Sequence, residues 1–263
     1  MTTSATSPTL ARIVDYLRRT DEAIVDEVRP LRHATALLTP SLPLVWQLNA
    51  VRVDDAAAGA PALVATAEEA LGDAGHRKLV VHDEAVGARL APALAATGWN
   101  VYRLLVMVRD RPSERTPPPG AGAEVDRRMG AAVLAAFRRE QPFGWQEEAV
   151  EQLAAMDDRY GRAALARDFV APPGDPACAC RLYAADGLAQ IDEVGTLESR
   201  RGRGHATAAV LAAADSAGAE GCDPVFLLTD ASDWPQQLYR RLGFSAIGSI
   251  YEFLKLALSP ARP

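Results

Sequence analysis

Lysine, cysteine and long apolar runs are scarce in this sequence. Of its 28 basic residues only Lys78 and Lys255 are lysines; the arginine bias accompanies abundant alanine and says nothing about function. The three cysteines, Cys178, Cys180 and Cys222, are too few and too unevenly spaced for a disulfide framework or a zinc site. Cys178 and Cys180 alternate on a predicted strand and share one of its faces. No apolar run approaches the ~18–20 residues that cross a bilayer. The polar stretch Met1 to Pro8 lacks the charged-then-apolar pattern of a secretory signal. A cytoplasmic protein with no membrane partner is expected. Positive charge is short as well: 28 basic against 34 acidic residues leave a net charge of −6. Such a chain is a poor general binder of nucleic acid, and a polyanion site must be a local basic patch. His33, His76 and His82 have no partners at metal or triad spacing, so no metal is expected.

What is present is a chain of 263 residues, 49% hydrophobic and 24% charged, enough for one large domain or two modest ones. Ser7-Pro8 reads as an N-cap with proline at the first helical position, followed by the stripe Leu10, Ile13, Val14 and Leu17. Thr20 is expected to cap a second helix carrying Ile24, Val25 and Val28, stopped by Pro30. A strand over 44–53, a helix over 63–71, a strand over 78–81, a helix over 85–96 and a strand over 101–108 follow. Pro112, Pro117, Pro118 and Pro119 then crowd the stretch from Arg111 to Ala123. Nothing there is expected to pack or pair well, so it reads as a linker.

Beyond it the pattern predicts helices over 129–139 and 145–156 and strands over 164–170, 177–185 and 188–197. Ala185-Asp186-Gly187 is the hairpin turn between the last two. A helix over 205–217, a strand over 225–228, a helix over 234–242 and one or two strands over 244–256 complete the chain. The ends of the two halves repeat: Gly75 and Gly221 each open a strand, a helix, a second glycine (Gly98, Gly243) and a closing strand. The glycine pairs stand 23 and 22 positions apart, which argues for two related units. The expected division is 1–111, a Pro-rich linker 112–123, and 124–263.

Chemistry concentrates at Arg200-Arg201-Gly202-Arg203-Gly204-His205-Ala206, between a predicted strand and a predicted helix. Glycines let the backbone turn tightly and aim successive N–H groups at one point, and the helix adds the positive end of its dipole. The arginines supply the local cation density that the acidic whole lacks, so the ligand expected is a phosphate or pyrophosphate. A Walker loop would need Lys, and a dinucleotide fingerprint would need Gly or Ala where Thr207 stands, within a parallel βαβ unit. A solvated Arg/Gly turn without ligand is the bland alternative.

The segment Arg201-Gly202-Arg203-Gly204-His205-Ala206 resembles the acyl-CoA motif Arg/Gln-x-x-Gly-x-Gly/Ala of the GNAT family of N-acetyltransferases. Leu238-Tyr239-Arg240-Arg241-Leu242-Gly243-Phe244 resembles that family's second hallmark, one strand and one helix downstream. Ile191-Asp192-Glu193-Val194-Gly195-Thr196-Leu197 sits where its splayed central strand is expected. The resemblance covers about residues 120 to 258. It implies an α+β fold of two GNAT-like domains, each a mixed, mostly antiparallel sheet flanked by helices.

It also implies acetyl-CoA as cosubstrate and an amine acceptor, small molecule or peptide. By that resemblance Arg201, Gly202, Arg203, Gly204, His205 and Ala206 bind the CoA diphosphate. Val194 and Thr196 pair with the pantetheine arm, and the Val194 N–H is placed to stabilise an oxyanion. Tyr239 protonates the departing thiolate, or else simply packs on Phe244. Glu193 is the candidate base, or else a solvated strand carboxylate, with Asp192 pointing to the other face. Ser232 stands where the family often has Asn on the pantetheine arm, and a Ser can supply only one such bond. Asp233 reads as an N-cap for the following helix.

The first half's equivalent of the Arg/Gly loop, Asp54 to Pro61, has no Arg and opens on two carboxylates. Counting back from Gly98 as Tyr239 precedes Gly243 gives Leu94, which has no proton to donate. Residues 1–111 are therefore expected to be a degenerate copy that walls the acceptor cleft. Two other functions stay open: a non-catalytic CoA-binding sensor or scaffold, and a regulator binding ATP or NAD in the cradle. The sequence makes no statement about oligomeric state.

Overall fold

Helix α1 (Pro8–Ile24) starts as expected, with Ser7 at its N-cap and Pro8 in the first turn. The computed structural model to which it belongs describes residues 7–256 apart from Asp73. α1 does not stop at Thr20. Ile13, Tyr16, Leu17, Thr20 and Ile24 form one buried stripe, so the expected second helix is absorbed into the first. The capping preference of Thr20 is local and small, and burial of a continuous helical face outweighs it. Val28 lies instead on β1 (Glu27–Pro30), an exposed edge strand. It pairs with β2 (Ala34–Leu38), a strand absent from the expectation. Only the end of the strand expected over 44–53 forms, as β3 (Ala50–Val53), because Trp46–Leu48 winds into a 3-10 turn.

The remaining elements of the first half are α2 (Ala60–Leu71), β4 (His76–Val81), α3 (Glu84–Ala96) and β5 (Asn100–Arg109). The second half runs β6 (Ala123–Val125), α4 (Arg127–Arg139), α5 (Glu147–Ala163), β7 (Leu165–Ala171), β8 (Cys178–Ala185) and β9 (Leu188–Thr196). It closes with α6 (His205–Ala219), β10 (Val225–Asp230), α7 (Pro235–Arg241) and β11 (Phe244–Leu256). The β8–β9 hairpin turns on Asp186 and Gly187, both at positive φ, as the Asp-Gly pair predicts.

Among the described residues the strands form one mixed sheet, ordered β1-β2-β3-β4-β11-β5-β10-β9-β8-β7-β6. Every neighbouring pair is antiparallel except β3–β4 and β9–β10. The architecture is the α+β one expected, and the repeat is visible in it: β3-α2-β4-α3-β5 corresponds to β9-α6-β10-α7-β11. The closing strands of the two halves are exchanged. β11 lies between β4 and β5, and β5 lies between β11 and β10, so the order β4-β11-β5-β10 reads alike from either half.

Helices cover both faces. α6 and α7 bury one face of the second half through Ala209, Val210, Ala213, Tyr239 and Leu242. α2 and α3 cover the same face of the first half through Leu63, Ala67, Leu90 and Leu94. On the opposite face α1 packs Ile13, Tyr16 and Leu17 against Val106, Phe226 and Ile250, and α5 meets its end through Met156.

The Pro-rich segment has no helix or strand before β6 starts at its last residue, Ala123, but it does pack. The Glu114 N–H donates to the Arg241 carbonyl at 2.8 Å, Arg111 donates to the Arg240 carbonyl at 2.7 Å, and Gly122 lies against the α6 backbone at Ala208. Because each half holds the other's closing strand, the two halves form a single folding unit. Cutting the full chain at a protease site engineered into 116–119 is therefore expected to leave both fragments together on size exclusion without denaturant. Separate elution of folded fragments would contradict the exchange.

Candidate active site

Glycine builds the turn between β9 and α6. Gly202 and Gly204 have φ of +77° and +81°, which L side chains rarely adopt. Gly204 is the N-cap of α6, with no side chain closing it. The helix's first backbone bond runs from the Ala208 N–H to the Gly204 carbonyl at 3.1 Å. The amides of His205, Ala206 and Thr207 therefore stand ahead of the ladder, at the positive end of the dipole. Residues 201–204 are exposed, and a Cβ placed at Gly202 or Gly204 would meet nothing within 4 Å. His205 Nε2 is buried with no hydrogen-bond partner among the described residues. Burial, then Arg200 and Arg203, lower the pKa of that ring, so it stays neutral. An open, cationic cradle with unspent donors fits a diphosphate.

β9 supplies the second part. It pairs with β10 only at Ala189–Val225 and Gln190–Phe226, and the two strands then splay apart. On its other side β9 follows β8 to Thr196, with one register shift between Ala179 and Arg181. There Glu193 and Val194 together face Cys180, and Glu193 takes a φ of +52°, a β-bulge. The Leu197 N–H reaches the Ala177 carbonyl across the β8 side at 2.9 Å. By alternation the Thr196 N–H points to the open side, where its carbonyl accepts from Arg201 Nε at 3.3 Å. A chain with alternating donors and acceptors could add there as a further strand.

The bulge is held by a buried ionic network that the sequence reading missed. Arg138, in the last turn of α4, donates to both oxygens of Asp157 at 2.9 Å and to Glu193 Oε2 at 2.7 Å. Arg181, 0% exposed, lies 2.7 Å from Asp157 Oδ2 and 2.7 Å from Asp168 Oδ1. Glu193 is thus neither a free base nor a solvated carboxylate. Burial raises its pKa, against the pull of Arg138, and burial likewise raises that of Asp192. Asp192 lines a cavity on the α1 face, with Arg181 of the network opposite it on β8. The signal for Arg181 was in the sequence: one charged residue inside the otherwise apolar run 177–182.

Tyr239, in the last turn of α7, packs edge-on to Phe244 with ring centroids 6.3 Å apart. Among the described residues its hydroxyl has no hydrogen-bond partner, and burial raises its pKa well above that of a free phenol. It stays protonated at neutral pH and has a donor to spend. Ser232 has less to offer than expected, because its N–H and its Oγ both donate to Asp230 Oδ1 at 2.7 Å. It can only accept from a ligand. Asp233 accepts from the Trp234 N–H at 2.7 Å, but the N-cap of α7 is Trp234, one residue later than expected.

The first half's equivalent turn is filled by its own residues. Asp55 accepts from the Ala57 N–H at 2.8 Å and lies 2.7 Å from His33 Nδ1. Arg89 donates to the carbonyls of Ala56 and Ala58 at 2.6 and 3.1 Å. β2 and β3 pair without a register shift, so no bulge matches the one at Glu193. Leu94 at the Tyr239 position is buried core.

Residues 131–244 match the model of the acetyltransferase (GNAT) family. Comparison with curated proteins gives no match. Solved structures resemble nearly the whole chain. A functionally unknown conserved protein from Staphylococcus epidermidis ATCC 12228 is 16% identical with a TM-score of 0.67, covering 90% of this chain and 96% of its own. A GCN5-related N-acetyltransferase from Kribbella flavida is 21% identical with a TM-score of 0.60, covering 95% and 96%. A tandem GNAT protein from the clavulanic acid biosynthesis pathway is 15% identical with a TM-score of 0.54, covering 87% and 79%. At these identities the likeness is one of fold.

The network makes a stability prediction. Arg181→Met removes the cation between Asp157 and Asp168, leaving Asp157 to Arg138 and Asp168 to Arg127 at 3.5 Å, and breaking the buried network should cost about 3–5 kcal/mol. The urea midpoint should fall accordingly, and an unchanged midpoint would remove Arg181 from the support of the bulge.

Proposed function

We propose, from the premise that residues 131–244 are a GNAT acetyltransferase domain, that the chain moves an acetyl group from acetyl-CoA directly to an amine. One observation carries the reading: the open glycine cradle at the start of α6 lies at the end of the strand edge that β10 leaves unpaired. The amides of Arg203 to Ala206, with Gly202, bind the diphosphate, and Arg201 and Arg203 supply countercharge. The backbone of Val194 and Thr196 takes the pantetheine arm, with Ser232 accepting one bond from it. Bound there, acetyl-CoA supplies an acetyl group already activated as a thioester.

The protein's own groups do the rest. An amine attacks only when neutral, so a base must take its proton. The adjoining carboxylates of Asp192 and Glu193 serve as a coupled pair, with Asp192 on the cavity side and Glu193 fixed by Arg138. The Val194 N–H donates to the thioester oxygen as negative charge develops, a contribution worth about 3–4 kcal/mol for a preorganised donor. Tyr239 gives its proton to the departing sulfur.

Residues 1–111 are a degenerate copy that keeps the fold and lacks a cradle, since Asp55 and Arg89 fill the equivalent turn. The ion pair from Arg138 to Glu193 is the observation favouring the alternative, a non-catalytic CoA-binding sensor or scaffold. Only slow hydrolysis of acetyl-CoA across a broad amine screen would support that alternative.

Two variants test the assignment. Gly204→Val forces a β-branched residue to positive φ and should abolish CoA binding by calorimetry while the circular dichroism spectrum stays native; retained affinity would move the cofactor elsewhere. Tyr239→Phe should lower kcat by about tenfold or more with CoA affinity kept, and an unchanged kcat would remove Tyr239 from the chemistry.

A further inference from the structure

The sheet face carrying α1 and α5 is incompletely covered. A cavity of about 340 Å³ remains there, walled by α1, α5 and strands of both halves from β2 across to β9. At one end it reaches Gln190 and Asp192 on β9 and Leu228 to Asp230 on β10. These lie on the two arms of the splay, so the cavity opens where the proposed thioester would sit, on the side away from α6. Asp21, contributed by α1 of the first half, lines the same space.

Its charges are unevenly spent. Lys78 lies 2.9 Å from Glu252, and Arg52 lies 2.7 Å from Glu22 and 3.2 Å from Asp54. Both cations of the wall are thereby committed. His82 carries no charge at neutral pH, since burial pushes its pKa down to about 4. Asp21 and Asp192, by contrast, form no ion pair among the described residues, although Arg181 stands opposite Asp192 on β8 and pulls against the effect of burial. Among the described residues the Asp21 side chain accepts one hydrogen bond, from the Tyr160 hydroxyl at 3.5 Å, and burial raises its pKa to about 7 against the pull of Lys78 and Arg52. Asp192 accepts from the Glu193 N–H at 2.8 Å and, weakly, from Gln190 Nε2 at 3.3 Å.

Gln190 is the independent sign of a ligand. It is 5% exposed, shares the face of Asp192 two residues on, and lines the cavity, where its Nε2 donates to Asp192 while its amide oxygen accepts no hydrogen bond among the described residues and is left to the cavity. A buried polar group left without a partner costs free energy, and a buried carboxylate without a cation costs more. Two carboxylates and an amide oxygen offer acceptors and negative charge. An alkylammonium has three N–H donors and one positive charge.

We propose, resting on the acetyl-transfer reading above, that this cavity is the acceptor site and takes a small aliphatic primary amine in its cationic form, held by Asp21, Asp192 and Gln190. The reaction balances as an alkylammonium plus the acetyl thioester giving the N-acetyl amine, the CoA thiol and one proton. One ammonium proton passes to Asp192 and from there to water. The neutral nitrogen forms the C–N bond as the C–S bond breaks. The second proton ends on sulfur, through Tyr239. The first half thus contributes a binding carboxylate to the second half's chemistry, which gives the exchanged sheet a functional role.

The test uses the full chain with butylamine, 1,4-diaminobutane and 4-aminobutanoate as acceptors. The two cationic amines should be acetylated with a kcat/KM at least about tenfold above that of the zwitterion. Asp21→Asn should raise the amine KM at least about tenfold with a much smaller change in kcat, and Asp21→Glu should restore part of the loss. Calorimetric titration of 1,4-diaminobutane should show saturable binding that Asp21→Asn weakens to the same degree, with CoA affinity reporting that the variant is folded. Equal use of 4-aminobutanoate, or an Asp21→Asn protein with unchanged KM and amine affinity, would overturn the cationic site while transfer still stood. Saturable amine binding without acetyl transfer to any acceptor would instead overturn the transferase reading and leave the site.

Discussion

Everything proposed for this chain depends on how little β9 pairs with β10. Two residue pairs hold the parallel contact, and beyond Gln190 the strands diverge. That divergence leaves one edge of β9 without a neighbour, and unpaired strand edges are receptive to another chain with alternating donors and acceptors. The same divergence lets the space on the α1 face meet the side where α6 begins. A closed sheet at this point would separate the cradle from the cavity, and neither would then be of use to the other.

The opening has to be held, since a bulged strand with Glu193 at positive φ does not keep its shape by itself. Its support is ionic: Arg138 ties the bulge to Asp157, and Arg181 ties Asp157 to Asp168. Burying so many charges is expensive compared with an apolar core of the same volume, and such networks are weak evidence of stability as such. Here the network fixes geometry. It joins α4, α5, β7, β8 and β9 at the point where the register shifts, and so positions Val194 and Asp192 on opposite sides of one strand. The exchange of β5 and β11 does the corresponding work at larger scale, since it fixes α1, and with it Asp21, over the second half's sheet.

Local patterns in the sequence were legible wherever one interaction dominates. Glycine at positive φ, the Asp-Gly hairpin and the period of α6 each follow from nearest neighbours, and the cradle was readable for that reason. Thr20 misled because a cap preference competes with a buried stripe, and the stripe wins. The Pro-rich stretch misled in the opposite way, since lack of regular structure does not prevent carbonyls of α7 from bonding it. What could not be read was anything set by distant pairs. The exchanged closing strands join residues such as Tyr251 and Arg103, and the Arg138–Glu193 ion pair spans 55 positions. Glu193 was visible as a carboxylate on the right strand, whereas its engagement, and the turn of Asp192 and Asp21 toward a shared cavity, exist only in three dimensions.

A crystal structure of the full chain grown with acetyl-CoA tests the central claim most directly. The account predicts diphosphate oxygens within hydrogen-bond reach of the amides between Gly202 and Thr207, and the pantetheine arm alongside Val194 and Thr196 in the gap between β9 and β10. Cofactor density on any other surface, or a gap closed by continued pairing of β9 with β10, would contradict it.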